Sequence, residues 1–144
     1  MNMAIAAWHI MREKISVAPD TTAREVAMKI ISSGLATMPV VDADRKLLGI
    51  VTENAILDMI REEWDLDSIK ALAIMVPAPS IADAATPTHD IISLLLKSCC
   101  SIVAVVKDGK YVGVISRHMM MDIFTSPNYS RFASKDRKSP FACL

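Results

Sequence analysis

The chain is poor in the residues that build rigid or specialised scaffolds. Its 144 residues include only four Gly, two Trp, two Tyr and three Phe. The three cysteines are Cys99, Cys100 and Cys143, two of them adjacent. An odd, uneven set makes no disulfide framework and points to a reducing cytoplasm. No charge dominates, since 16 Lys and Arg balance 16 Asp and Glu. That removes any whole-chain argument for nucleic acid or an acidic membrane. No apolar run approaches the roughly 20 residues of a spanning helix. The apolar stretch Met3 to Met11 has no basic region ahead of it and is followed by Arg12, Glu13 and Lys14. It is expected to be a helix and not a signal peptide. His9, His89, His118, Cys99 and Cys100 show no metal-ligand spacing, so no metal is expected. No nucleophile, base and orienting group stand out as a set, so an enzyme is the least favoured reading.

What is present is apolar bulk. Hydrophobic residues make up 52% of the sequence, ten of them Met. A short chain buries a small fraction of its surface. Some of this apolar area is therefore expected to be covered by a partner subunit. The charge that exists is uneven. From Ser126 onward four cations (Arg131, Lys135, Arg137, Lys138) face one acid, Asp136, a net of +3 that leaves the rest near −3. The tail 126–144, with Pro127 and Pro140, is expected to be mobile or ordered only against a partner.

The body contains a repeat. Residues 38–52 align without a gap on residues 102–116, at an offset of 64. Each stretch is an apolar run rich in Val and Ile, a polar turn, then a second apolar run, the pattern of two buried strands. Asp108-Gly109 is a hairpin signal. Gly49 and Gly113 occupy the same place in the second strand and suggest close backbone approach. Upstream, Thr22 and Glu25 form a capping box before an apolar face of Val26, Ala27, Ile30 and Ile31, with Gly34 as the stop. In the second copy Thr86-Pro87 reads as a cap with Pro at the first helical position, before Ile91, Ile92, Leu95 and Leu96. The offset there is 65, a one-residue difference assigned near Gly34. Helical spacing returns at Ile56, Leu57, Ile60 and Trp64, and again at Met120, Ile123 and Phe124. Each copy thus reads extended segment, helix, strand, strand, helix. The division is 1–62 for the first copy with its N-terminal helix, 63–125 for the linker and second copy, and 126–144 for the tail.

The segments Val17-Ala18-Pro19-Asp20-Thr21-Thr22, Met38-Pro39-Val40-Val41-Asp42 and Gly49-Ile50-Val51-Thr52 resemble a CBS (cystathionine β-synthase-type) repeat. Val105-Val106-Lys107-Asp108-Gly109 and Gly113-Val114-Ile115-Ser116 resemble a more worn copy. The resemblance covers residues 5–124. It implies an α/β (α+β) fold of two β-α-β-β-α repeats packed as a pseudo-symmetric pair, a Bateman module. It also implies a homodimer formed through the helices. The implied function is regulatory binding of an adenosine-containing ligand, such as AMP, ADP, ATP or S-adenosylmethionine, between the repeats, with no cofactor required.

Candidate ligand residues follow. Thr52 and Ser116 each end a strand and open a helix, where free N–H groups and the positive dipole end suit phosphate. Each is equally well read as a plain N-cap. The resemblance places an apolar wall for an adenine ring at Met38, Pro39, Ile102 and Val103, with Val17 in the segment before the first helix. Thr37 and Ser101 precede the wall and offer polar contacts. The family signature places an Asp three residues after the Thr or Ser, where it grips the ribose. Here Ala55 and Met119 stand instead. Asn54 and His118 are candidate substitutes. Losing that contact favours a rival reading, a structural or interaction dimer that binds no nucleotide. Contact with nucleic acid through Tyr129, Phe132 and the basic tail is a third and weaker expectation. The regulated partner is not named by the sequence, and no membrane association is expected.

Overall fold

A computed structural model describes residues 5–97 and 101–126. The elements run α1 (Ala7–Ile10), β1 (Arg12–Glu13), α2 (Ala23–Ser33), β2 (Thr37–Val41), β3 (Leu47–Thr52) and α3 (Glu53–Arg61). They continue α4 (Ala71–Ile74), β4 (Ile81–Asp83), α5 (Thr88–Lys97), β5 (Ile102–Lys107), β6 (Lys110–Ser116) and α6 (Arg117–Thr125). This is the α/β pair of repeats that the sequence pattern implies.

One sheet has the order β1-β6-β5-β4, and β2-β3 form a second. The second is widened by single bridges, Val17 to Val40 and Ile50 to Val76. Pro39 explains why the bridge at Val17 stays single. It has no N–H to donate on the edge facing Val17. The second copy has Ala104 at that place in the strand, whose amide donates to Ser80, and extends the parallel pairing over Ile81–Asp83.

The repeats are interlocked. β1 precedes the first repeat but pairs with β6 of the second, Arg12 opposite Val114. Val76 precedes the second repeat and pairs with Ile50 of the first. A further stretch of the repeat underlies this exchange. Ala7-Trp8-His9-Ile10-Met11 matches Ala71-Leu72-Ala73-Ile74-Met75 at the same offset of 64, and each forms a one-turn helix with a fully buried leading Ala. Grouped by sequence with residues 1–62, α1 packs in space on the second repeat. Ile5, Ala7, Ile10 and Met11 share a core with Val103, Ile115 and Met120. Ala71 joins the first repeat's core of Val26, Met38, Ile50 and Ile56, which also takes Ile102 and Val114 from the second.

Local signals account for the helix ends. Thr22 and Glu25 complete their capping box, and Gly34 closes α2 at φ 75°. The second copy differs from the sequence expectation. Pro87 stands just before α5, where it accepts from the Asp90 and Ile91 amides, and Thr88 is the first helical residue. The Thr88 hydroxyl reaches back to the Ile5 carbonyl at 2.7 Å. The offset of 65 is already present in the turns before the helices. Thr21 donates to Ala18 and Thr86 to Asp83, so the extra residue enters the second copy ahead of α5. It is not given back near Gly34: Val40 faces Gly49 and Val105 faces Gly113, so the first strands keep the offset of 65, the second strands return to 64, and the gapless match of 38–52 on 102–116 breaks in the hairpin turn.

The helical faces are broader than the core they meet. Ile30, Ile56, Leu95 and Ile123 are buried, but Ile31 is 80% exposed, Leu57 61% and Leu96 79%; α3 ends at Arg61, so Trp64, expected on its face, lies beyond it, 60% exposed. A groove of about 220 Å³ between α2 and α3 is floored by Ala27, Ile31, Ile56, Leu57 and Ile60.

Candidate functional site

The hairpin β2-β3 pairs Thr37 with Thr52, and β5-β6 pairs Ile102 with Ser116. The open ends of both hairpins therefore carry hydroxyls at the start of a helix. Thr52 caps α3, its Oγ1 accepting from the Ala55 amide at 3.2 Å. Ser116 caps α6, its Oγ accepting from the Met119 amide at 3.0 Å. An accepting hydroxyl still has its own proton to donate, so a cap and a ligand contact are compatible.

These ends meet in a cleft of about 220 Å³ lined by Ala36, Thr37, Thr52, Glu53, Asn54, Ser101 and Arg117. Both repeats contribute to it. Four sequence candidates are brought together here: Thr37, Thr52, Asn54 and Ser101. The others lie elsewhere. Met38, Ile102 and Val103 are at most 2% exposed within the hydrophobic cores. Pro39 is buried in β2, and Ser116 is buried at its cap. His118 is exposed on the first turn of α6 and does not line this cleft. Val17 lines a different cleft, beside Val41, Arg45 and Tyr111.

Arg117 was not among the candidates. It is the first residue of α6, where the helix dipole disfavours a cation by roughly 0.3–1 kcal/mol. The first copy has Glu53 at that place, the sign a helix start prefers. A cation in the first turn was thus the available signal. The Arg117 Nε and Nη2 donate to the Leu95 carbonyl at 3.1 and 2.8 Å, which anchors the side chain near the end of α5. Together, hydroxyls, an amide and a guanidinium converge where two helices begin, with the Glu53 carboxylate beside them. The donors suit an anion, which Glu53 opposes. The third residues of α3 and α6 are Ala55 and Met119, so neither helix supplies a carboxylate at that position.

Cys99, Cys100 and the tail 127–144 lie outside the described residues. Among the described residues no helix is long and apolar enough to cross a membrane, and no group of three or more His, Cys, Asp or Glu could hold a metal ion.

Comparison with known proteins gives a consistent result. The CBS domain family profile matches residues 7–62 and 69–126. The chain is similar to the CBS domain-containing protein CBSX1 of Arabidopsis thaliana chloroplasts, 27% identical over 70% of this chain. It spans 55% of that protein's length and 19% of another curated relative's. A putative acetoin utilization protein from Vibrio cholerae superposes with a TM-score of 0.78 at 17% identity, covering 91% of this chain and 98% of that one. CBSX2 of Arabidopsis thaliana, crystallised in complex with AMP, superposes with a TM-score of 0.67 at 21% identity, covering 81% of this chain and 93% of that one.

Proposed function

The chain belongs to the CBS domain family, and on that premise we propose that it is a regulatory module, not an enzyme, that senses an adenosine-containing ligand between its repeats. The observation that carries this reading is the polar cleft shared by both repeats, with Thr52, Asn54, Thr37, Ser101 and Arg117 on its walls. An adenine nucleotide would set its phosphates at the starts of α3 and α6, against Arg117 and the hydroxyls of Thr52 and Ser101. A ligand that touches both repeats binds best at one spacing between them. Occupancy therefore shifts the population toward that spacing and changes the surface offered to a partner. No cofactor is needed for this, and a cytoplasmic setting fits the thiol content. Calorimetry and thermal shift with AMP, ADP, ATP and S-adenosylmethionine test it. Heat and stabilisation with one of them are expected. Silence from all four at millimolar ligand would sink the reading.

A second reading is favoured by a different observation. Met28, Ile31, Leu57 and Ile60 on one repeat, with Trp64 just past α3, and Leu96 and Met121 on the other, stand exposed along related helices. Faces of this kind suit an isologous homodimer, and the lack of a carboxylate at Ala55 and Met119 suits a module whose role is assembly. Sedimentation of the chain against Ile31→Glu and Leu57→Glu separates the cases. A dimer that dissociates on substitution but ignores every nucleotide supports assembly alone.

A further inference from the structure

A second cleft, of about 350 Å³, opens at the opposite end of the first hairpin, beside its turn. Its walls include Lys14, Val17, Val41, Arg45 and, from the second repeat, Tyr111. The frame is fixed by bonds between the repeats. The Lys14 amide donates to Val112 at 3.1 Å and the Tyr111 amide to Arg45 at 2.8 Å. The Tyr111 hydroxyl donates to the Ile15 carbonyl.

Two cations line this cleft, and neither forms an ion pair with a described residue. The one acid on the wall, Asp42, is already engaged, its Oδ1 accepting from the Asp44 and Lys46 amides and holding the turn. Both cations also sit on left-handed backbone, Lys14 at φ 55° and Arg45 at φ 65°. That region disfavours any residue with a Cβ and favours Gly or Asn, so it does not call for a cation at either place. The second copy turns differently. Its loop is one residue shorter and carries Asp108 and Gly109 at φ 52° and 77°, where the first has Arg45 alone on left-handed backbone. Lys14 matches Ala78.

We propose that this second cleft binds a small organic anion, its carboxylate or phosphate held between Lys14 and Arg45 and its apolar body against Val17, Val41 and the Tyr111 ring. The size suits a small-molecule site. The guanidinium and ammonium suit either oxyanion group. Because the walls come from both repeats, occupancy here acts on the same relative motion as the first cleft, from the opposite end. The proposal does not depend on nucleotide binding.

Amide NMR of the full chain, titrated with phenyl phosphate, benzoate and uncharged benzamide, tests it. Saturating shifts are expected at Ser16, Val17, Asp42, Arg45 and Tyr111 with one or both anions, and not with benzamide. Arg45→Gly puts Gly on left-handed backbone that favours it, so the variant should melt no lower than the parent while binding the anion at least tenfold more weakly. Three results would overturn the proposal: no shift with either anion at 10 mM (about the ceiling of a useful small-ligand titration), shifts confined to the cleft at Thr37 and Thr52, or unchanged binding in Arg45→Gly.

Discussion

A methyl group placed on Gly49 would lie 2.6 Å from the carbonyl oxygen of Val76. The second copy repeats the relationship, with 2.7 Å from Gly113 to the carbonyl of Arg12. These contacts are where each lead-in segment crosses onto the other repeat. Both obstacles are backbone, so neither can swing aside. Gly49→Ala and Gly113→Ala should each lower unfolding stability by about 1–3 kcal/mol. Denaturant unfolding measures this. Equal midpoints for parent and both variants would mean the segments are not held so closely.

How far the sequence alone carried the description depends on what kind of signal each feature leaves. Thr22, Glu25 and Gly34 act within a few residues of themselves, so their helix could be read directly. The duplicated strands were legible because Val and Ile runs recur at one spacing. The exchange of α1 and α4 between repeats was not. A one-turn helix carries no periodicity, and Ala7 and Ala71 look ordinary until something is seen to press on them. Of the residues that line the first cleft, Thr52 was named for its place between strand and helix, Thr37 and Ser101 for preceding the family's apolar wall, and Asn54 as a substitute for the missing carboxylate. Arg117 was missed because its value comes from the cleft it shares with the other repeat.

The contact between Thr88 and Ile5 joins residues far apart in sequence. The Thr88 hydroxyl donates to the Ile5 carbonyl at 2.7 Å, in a site where Thr88 is 1% exposed. Thr88→Val keeps the shape and removes the donor. The Ile5 carbonyl retains the Thr88 amide at 2.9 Å, so the loss should be modest, about 1 kcal/mol. Hydrogen exchange adds a sharper readout. Amides of α1 should exchange faster in the variant while those of α2 do not change. A uniform change across both helices would contradict this local role.

Tyr111 gives the fold an alkaline edge. Burial pushes its phenol well above the ordinary tyrosine value, because the ionised form loses its water. The unfolded chain releases this proton near pH 10 and the folded chain holds it longer. The stabilisation is therefore complete below about pH 10 and is lost as pH rises beyond it. Tyr111→Phe removes the titration and also the bond to Ile15. At pH 7 the variant should be less stable by about 1 kcal/mol. Its stability should fall less steeply than the parent's above pH 10. Parallel curves for the two proteins through that range would rule out Tyr111 as the source.

Ala55 offers the most direct test of what the first cleft lacks. It is the third residue of α3, its amide bound to the Thr52 hydroxyl, and it is only partly buried. The CBS signature has an Asp there, placed to bind ribose hydroxyls. Ala55→Asp adds a carboxylate to a helix start, where the dipole favours it. A charge-assisted bond to the diol contributes about 1.5–3 kcal/mol, or roughly ten- to a hundredfold in affinity. AMP should therefore bind the variant more tightly than the parent by that factor. A 2′,3′-dideoxy nucleotide, which has no diol, should show no gain. If both nucleotides gain equally, the carboxylate acts through general electrostatics and not through the ribose. If neither gains, this helix start does not face a nucleotide at all, and assembly through the exposed helical faces becomes the better account of the module.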